Sequence, residues 1–99
     1  MAPFRFSHRA EADLVGIANY TLRTWGKAQI VRYLGDLEAF CQTLADNPAL
    51  GPPCRDVRPG LRRMEHDKHV IFYRQDRTGI LISRILHRSM LPEEHDTGD

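Results

Sequence analysis

The chain has 99 residues, of which 41% are hydrophobic and 27% charged, and its formal net charge is +1. This length fits one domain with a single small core, and the composition is ordinary for a globular protein. No stretch approaches the roughly 18 uninterrupted apolar residues of a membrane span, and the N-terminus lacks the apolar core of an export signal, so we expect a cytoplasmic protein.

The first 26 residues predict a short strand followed by a helix. Residues 4–6 alternate between aromatic and polar, as a strand does. Ser7 is a good N-cap because its hydroxyl can accept hydrogen bonds from the first helical turn. The helix is predicted to end near Thr24, before a turn at Gly26. Its apolar face comprises Ala10, Leu14 and Ile17.

A second helix is predicted over residues 27–46. Its apolar stripe has helical spacing and comprises Ile30, Leu34, Leu37, Cys41 and Leu44. Pro48 disfavours helix at the preceding Asn47 and ends the pattern. Because the link at Gly26 is short, the helices are expected to form an antiparallel hairpin.

The second half of the chain predicts a loop and then a β-meander. Residues 48–60 are rich in proline and glycine, and strands are predicted over 61–65, 69–74 and 80–87. The order β-α-α-β-β-β gives an α+β fold in which an antiparallel sheet packs against the helical hairpin, with strand 4–6 at a sheet edge. We expect a single domain over residues 1–91 and a mobile acidic tail over 92–99.

Positive charge is concentrated in the second half. The tail holds four acidic residues and no Lys or Arg, which leaves 14 basic and 9 acidic residues in 1–91, with the excess between residues 55 and 88. Such a patch suits an acidic partner, a nucleic acid or simply solvent. Cys41 and Cys54 are expected to be free thiols, and the Cys and His spacings match no zinc pattern. We expect neither a metal site nor a cofactor.

The chemistry-bearing residues that remain are basic, since the chain has no nucleophile elbow and no phosphate-binding glycine loop. Strand alternation sends Arg62 and Arg63 to opposite faces, and likewise Arg84 and His87. Together with a histidine as proton carrier, such arginines could serve RNA cleavage. Alternatively, Arg84 and His87 are sheet residues paired with local carboxylates.

The order and spacing of several sequence blocks resemble those of the ParE toxins, within the RelE/ParE superfamily, over nearly the whole chain from Phe4 to Met90. The blocks are Ser7…Ala10…Asp13-Leu14…Ile17…Tyr20, Trp25-Gly26, Tyr33…Leu37…Phe40…Leu44-Ala45…Asn47-Pro48…Leu50-Gly51, Asp56-Val57-Arg58-Pro59-Gly60-Leu61-Arg62-Arg63, His69-Val70-Ile71-Phe72-Tyr73-Arg74, and Ile80…Ile82…Arg84-Ile85-Leu86-His87…Ser89-Met90.

The resemblance implies a RelE-like fold, a type II toxin–antitoxin system that stabilises plasmids, a ParD-like antitoxin, and DNA gyrase as a target inhibited by binding rather than catalysis. RelE-type relatives instead cut messenger RNA in the ribosome, using lysines, sheet arginines and a C-terminal tyrosine or histidine. Here the only lysines are Lys27 and Lys68. Arg63, Arg84 and His87 partly match the RelE pattern, so a ribosome-dependent endoribonuclease is the alternative; an inactive homologue is a third reading.

The antitoxin is expected to occupy an exposed apolar groove and to form a hetero-oligomer with the toxin. Neither membrane contact nor sequence-specific nucleic-acid binding is expected. The residues predicted to contact the antitoxin are large aromatic residues and sheet arginines: Trp25, Tyr33, Phe40, Arg62, Phe72, Tyr73 and Arg84.

Overall fold

A computed structural model describes residues 2–55 and 57–90 of the chain. The acidic tail predicted over 92–99 lies outside the described residues. Within the described part, no helix combines the length and the apolar character needed to cross a membrane.

The elements follow the predicted order. They are β1 (Phe4–Phe6), α1 (His8–Trp25), α2 (Lys27–Asp46), β2 (Leu61–His66), β3 (His69–Gln75) and β4 (Ile80–His87), followed by a short 3-10 turn over Arg88–Met90. The strands form one sheet in the order β1-β4-β3-β2. β1 lies at an edge, as expected, but it runs parallel to β4. The sheet is therefore mixed, whereas the sequence predicted an antiparallel sheet.

Local signals at the helix ends explain where α1 begins and stops. The Ser7 hydroxyl accepts a hydrogen bond from the Ala10 amide at 3.0 Å, as an N-cap does. Gly26 has a φ of 94°, and its amide donates to the carbonyls of Thr21 and Leu22. This left-handed backbone is accessible to glycine at little cost, which lets α2 start at once. α1 thus reaches Trp25, one residue beyond the predicted end.

The main core lies between the helical hairpin and one face of the sheet, which we call the helix face. Leu37, Cys41 and Leu44 of α2 pack there on a set of sheet residues: Ile71, Tyr73, Ile80, Ile82 and Ile85. Leu34 was predicted in the same stripe, but its side chain is 37% exposed.

A second apolar cluster covers the opposite, outer face of the sheet. It comprises Cys54, Leu61, Val70, Phe72 and Leu86. Both faces of β3 are consequently buried from Val70 to Tyr73. A continuous apolar run of this kind is typical of a strand covered on both faces.

The loop after α2 is fixed to the sheet by Tyr73 and Arg62. The Tyr73 hydroxyl donates to the Pro48 carbonyl and accepts from the Gly51 amide, each at 2.9 Å. Arg62 donates to the Gly51 carbonyl at 2.7 Å. The next residues run beside the free edge of β2, where the Arg63 amide donates to the Pro52 carbonyl. These bonds satisfy backbone groups that would otherwise be buried without partners.

Candidate functional site

Arg84 is engaged by a carboxylate of α1. Its Nε lies 2.9 Å from Asp13 Oδ2 and its second guanidinium nitrogen 3.0 Å from Asp13 Oδ1, a bidentate pair. Asp13 also accepts the Ile85 amide at 2.9 Å. Both side chains are largely buried, at 18% and 13% exposed. Arg84 is thus paired with a carboxylate, as one interpretation of the sequence had it, but the acid comes from α1 rather than from a local position. His87, for which the same interpretation expected a carboxylate, contacts Ser89 and His69.

The geometry of β4 explains this pair. Opposite β3, Phe72 faces Arg84 but Tyr73 faces Ile82, so Ser83 is an extra residue in β4. β1 pairs with β4 only as far as Ile82. Beyond that point β1 offers no acceptor to the amide of Ile85, which donates to the Asp13 carboxylate instead.

Arg63 lies in line with Arg84 across the sheet. Both residues are paired with Phe72, from β2 and β4 respectively. The Arg63 guanidinium carbon lies 5.7 Å from the centre of the Phe72 ring, a cation–π distance. Because Phe72 belongs to the outer-face cluster, Arg63 covers the outer face of the sheet.

His87 leaves β4 on the helix face, with Ile85, and so lies on the other side of the sheet from Arg63. Its ring packs edge-on against His69, with centroids 5.4 Å apart. Its Nδ1 lies 2.8 Å from the Ser89 hydroxyl and accepts the Ser89 amide. Whether Arg84 and His87 point opposite ways stays a prediction, because Arg84 lies beside the extra residue of β4 and reaches Asp13 of α1. Of the residues considered for RNA cleavage, Arg84 is engaged by α1, Arg63 lies over Phe72 and His87 contacts His69.

His66, His69 and His87 form a line of cross-strand neighbours on the helix face, which we call the histidine row. The Tyr33 hydroxyl lies 2.6 Å from His69 Nδ1, and Phe40 stacks on His66 with centroids 4.6 Å apart. Burial raises the pKa of Tyr33, and the nearby Asp67 and Cys41 add to the rise. Burial lowers the pKa of His69, and the neighbouring His87 adds to this effect.

The predicted antitoxin contacts need correction at Phe72 and Tyr73. These residues are 1% and 0% exposed, because both faces of β3 are covered, so neither is available on the surface. Arg62 and Arg84 are partly buried and engaged within the chain. Tyr33 and Phe40 are partly buried against the main core. Trp25 is the predicted residue that stands well exposed, at 65%.

Exposed apolar side chains do occur on the helices, and most of them are not among the predicted antitoxin contacts. Leu22 and Trp25 lie at the end of α1, and Val31 and Leu34 near the start of α2; all four are exposed. The hairpin turn at Gly26 brings these two helix ends together. We call these four residues the hairpin tip. Leu22 and Val31 stand outside the predicted core stripes, and that signal could have marked them as surface residues.

The described residues hold no group of His, Cys, Asp and Glu able to bind a metal ion. Cys41 and Cys54 are buried free thiols. Burial, with a smaller contribution from Glu38, raises the pKa of Cys41 to about 12, so this thiol is not a nucleophile at neutral pH.

Comparison with known proteins decides the family. Residues 4–92 match the family model described as ParE toxin of the type II toxin–antitoxin system, parDE. The chain belongs to the ParE toxin family. It is 39% identical over 95 residues to Toxin ParE1 of Caulobacter vibrioides, covering 96% of this chain and 98% of that protein. It is 36% identical over 92 residues to Toxin ParE of Escherichia coli, covering 91% and 88%.

The fold also matches a solved structure. A chain described as the chromosomal ParDE TA system from P. aeruginosa superposes with a TM-score of 0.72 at 23% identity, covering 88% of this chain and 96% of that one. At this identity the likeness concerns the fold alone. The predicted α+β class and element order of this ParE family member are confirmed, apart from the parallel pairing of β1. The chain is a toxin of the type II class.

Proposed function

We propose that this toxin acts in the cytoplasm by binding DNA gyrase, without catalysis of its own, and that a ParD-like antitoxin neutralises it. Membership of the ParE family supports the target and the partner. The observation that supports the non-catalytic part is the pairing of Arg84 with Asp13 inside the chain. Arg63 lies over Phe72, and His87 is the cross-strand partner of His69.

RNA cleavage needs a base for the 2′-hydroxyl, a cation for the phosphorane and an acid for the leaving oxygen, all around one phosphate. Arg84 already donates to Asp13, and Arg63 lies over Phe72 on the outer face. His87 contacts Ser89 and His69 on the helix face. A site missing one proton-transfer partner typically loses about 10²–10⁴ in rate.

The hairpin tip is the surface proposed for the antitoxin. Trp25 and Val31 are 65% and 66% exposed, which is costly for side chains of this kind without a partner. An amphipathic helix that buries its apolar face here would gain most from the large aromatic Trp25. The basic residues of the second half would attract acidic residues in the antitoxin.

Expression in cells without the antitoxin tests the proposal. Growth should stop with gyrase-dependent DNA damage, while messenger RNA stays intact. Cells that carry a toxin-resistant gyrase should survive the same expression. Growth arrest accompanied by cleaved messenger RNA, and unaffected by the gyrase allele, would favour the endoribonuclease alternative.

A further inference from the structure

We infer that the histidine row makes the packing of α2 on the sheet dependent on pH, so that uptake of a proton by His69 weakens that packing as the pH falls below neutrality. This inference concerns the folded chain itself and does not depend on gyrase or on an antitoxin.

The row joins every long strand of the sheet to one helix. His66 and His69 close the β2–β3 hairpin as a cross-strand pair, and His87 is the partner of His69 on β4. Two aromatic residues of α2 contact this line of imidazoles, Tyr33 on His69 and Phe40 on His66. Through the histidine row, α2 thus contacts the end of the sheet that carries the β2–β3 turn.

The hydrogen bond between Tyr33 and His69 ties α2 to the histidine row. Because burial raises the pKa of Tyr33, its hydroxyl keeps its proton. His69 Nδ1 lies 2.6 Å away, and a neutral imidazole can either accept from this hydroxyl or donate to it. A protonated His69 can only donate from Nδ1, so the Tyr33 hydroxyl must then accept and turn its own proton away.

The surroundings of His69 oppose an added positive charge. Burial acts first and His87 next, with a smaller contribution from His66. The Nε2 of His66 is buried with no hydrogen-bond partner in the described part of the chain. Asp67 is the neighbouring acid, and it offsets only part of the effect.

The other charged and titratable groups at this end do not compensate. From α2 the row faces Tyr33, which stays neutral, with the buried Cys41 thiol behind it. Lys68 in the β2–β3 turn adds positive charge, and its carbonyl accepts the Arg88 amide. The Arg88 guanidinium lies 3.8 Å from Glu65 at the exposed rim, so that acid is already paired.

The direction of the pH effect follows from the lowered pKa of His69 in the folded chain. The unfolded chain takes up the proton near the ordinary value of about 6.5, whereas the folded chain takes it up at lower pH. The full stability of the fold is therefore present above the pKa that His69 has in the unfolded chain. Part of it is lost as the pH falls below that pKa.

Binding of the partner should weaken in the same pH range, because α2 also carries Val31 and Leu34 of the hairpin tip. Only this consequence rests on the proposed function.

Unfolding by urea at about pH 7.5 and at about pH 5.5 tests the inference on the full chain. Three proteins are compared: wild type, His69→Gln, which keeps an acceptor but cannot take up a proton, and His8→Gln, which changes an exposed histidine of α1. Between the two pH values the unfolding constant of wild type and of His8→Gln should rise by up to about tenfold more than that of His69→Gln. Equal rises in all three proteins would overturn the inference.

An NMR titration of the native wild-type protein gives a second readout if His69→Gln does not fold. The imidazole of His69 should titrate with a midpoint below about 6.5, and the Tyr33 ring signals should change with the same midpoint. The inference would be overturned if the midpoint lay at or above the ordinary histidine pKa of about 6.5, or if the Tyr33 signals did not change during the titration.

Discussion

Asp13 of α1 and Arg84 of β4 form a bidentate ion pair across 71 sequence positions, and the same carboxylate accepts the amide of Ile85. The Asp13 carboxylate thereby accepts a hydrogen bond from the backbone of β4 in the part of the strand that β1 does not reach. It also engages the arginine that would be needed most in a nuclease site. The pair thus has both a structural and a functional consequence.

Replacement of Asp13 should destabilise the fold. Asp13→Ala leaves the largely buried guanidinium of Arg84 and the Ile85 amide without this acceptor. We expect a loss of about 2–4 kcal/mol in the free energy of unfolding, since breaking a buried ion pair is costly. Urea unfolding measures the loss, with the exposed Asn19→Ala on the same helix as control. Similar unfolding midpoints for the two variants would contradict the structural role of Asp13.

Gly51 should tolerate no side chain. A Cβ atom there would lie 2.5 Å from the Arg63 carbonyl oxygen and 2.8 Å from the Tyr73 hydroxyl. Gly51→Ala should therefore cost about 1–3 kcal/mol of stability, as overpacking does. Gly35→Ala is the matched control, because the same methyl group meets nothing within 4 Å on α2. That variant should gain about 0.5–1 kcal/mol from helix propensity. Thermal unfolding of both variants checks the contrast, and a stable Gly51→Ala protein would refute it.

Much of the fold was predictable because the ends of its helices and strands depend on residues that are adjacent in the sequence. Ser7, Gly26 and Asn47-Pro48 act within one turn of the chain, and the bounds of α2 and β4 were predicted as observed. The extra residue Ser83 was not predictable, because it follows from where β1 ends on β4. The Asp13–Arg84 pair lies next to this register shift in β4, so the sequence alone did not predict it either.

The candidate site was predicted less well, for a related reason. Strand alternation predicts opposite faces for Arg84 and His87, but it does not reveal which faces of a strand are covered. The sequence predicts antitoxin contacts at Phe72 and Tyr73, although the run Val70–Tyr73 is apolar at consecutive positions. The histidine row required the register of three strands at once, which turn sequences alone do not fix.

The hairpin tip should carry much of the antitoxin affinity. Trp25→Ala removes an aromatic side chain that is 65% exposed in the free chain, so the fold should change little. Antitoxin binding should weaken at least about tenfold, as expected for a central aromatic contact. Val15→Ala, an equally exposed apolar residue earlier on α1, is the control and should bind normally. Titration calorimetry with the cognate antitoxin measures both, and equal affinities would place the antitoxin elsewhere.

Association with the antitoxin should slow as salt is added. The basic residues between 55 and 88 outnumber the acidic ones, so they should speed encounter with an acidic partner. Screening shortens to about 8 Å at physiological ionic strength and weakens this attraction. Stopped-flow association rates at low and high salt check the effect. An association rate that is the same at low and high ionic strength would show that the positive charge plays no part in the encounter with the antitoxin.

Purified components distinguish a toxin that binds gyrase from one that cuts RNA. Wild-type toxin and His87→Gln are each added to a gyrase supercoiling reaction and to ribosomes programmed with messenger RNA. Both proteins should inhibit supercoiling, and neither should cleave the message. Cleavage of ribosome-bound message by the wild type, lost in His87→Gln while gyrase remains unaffected, would show that the toxin is a nuclease instead.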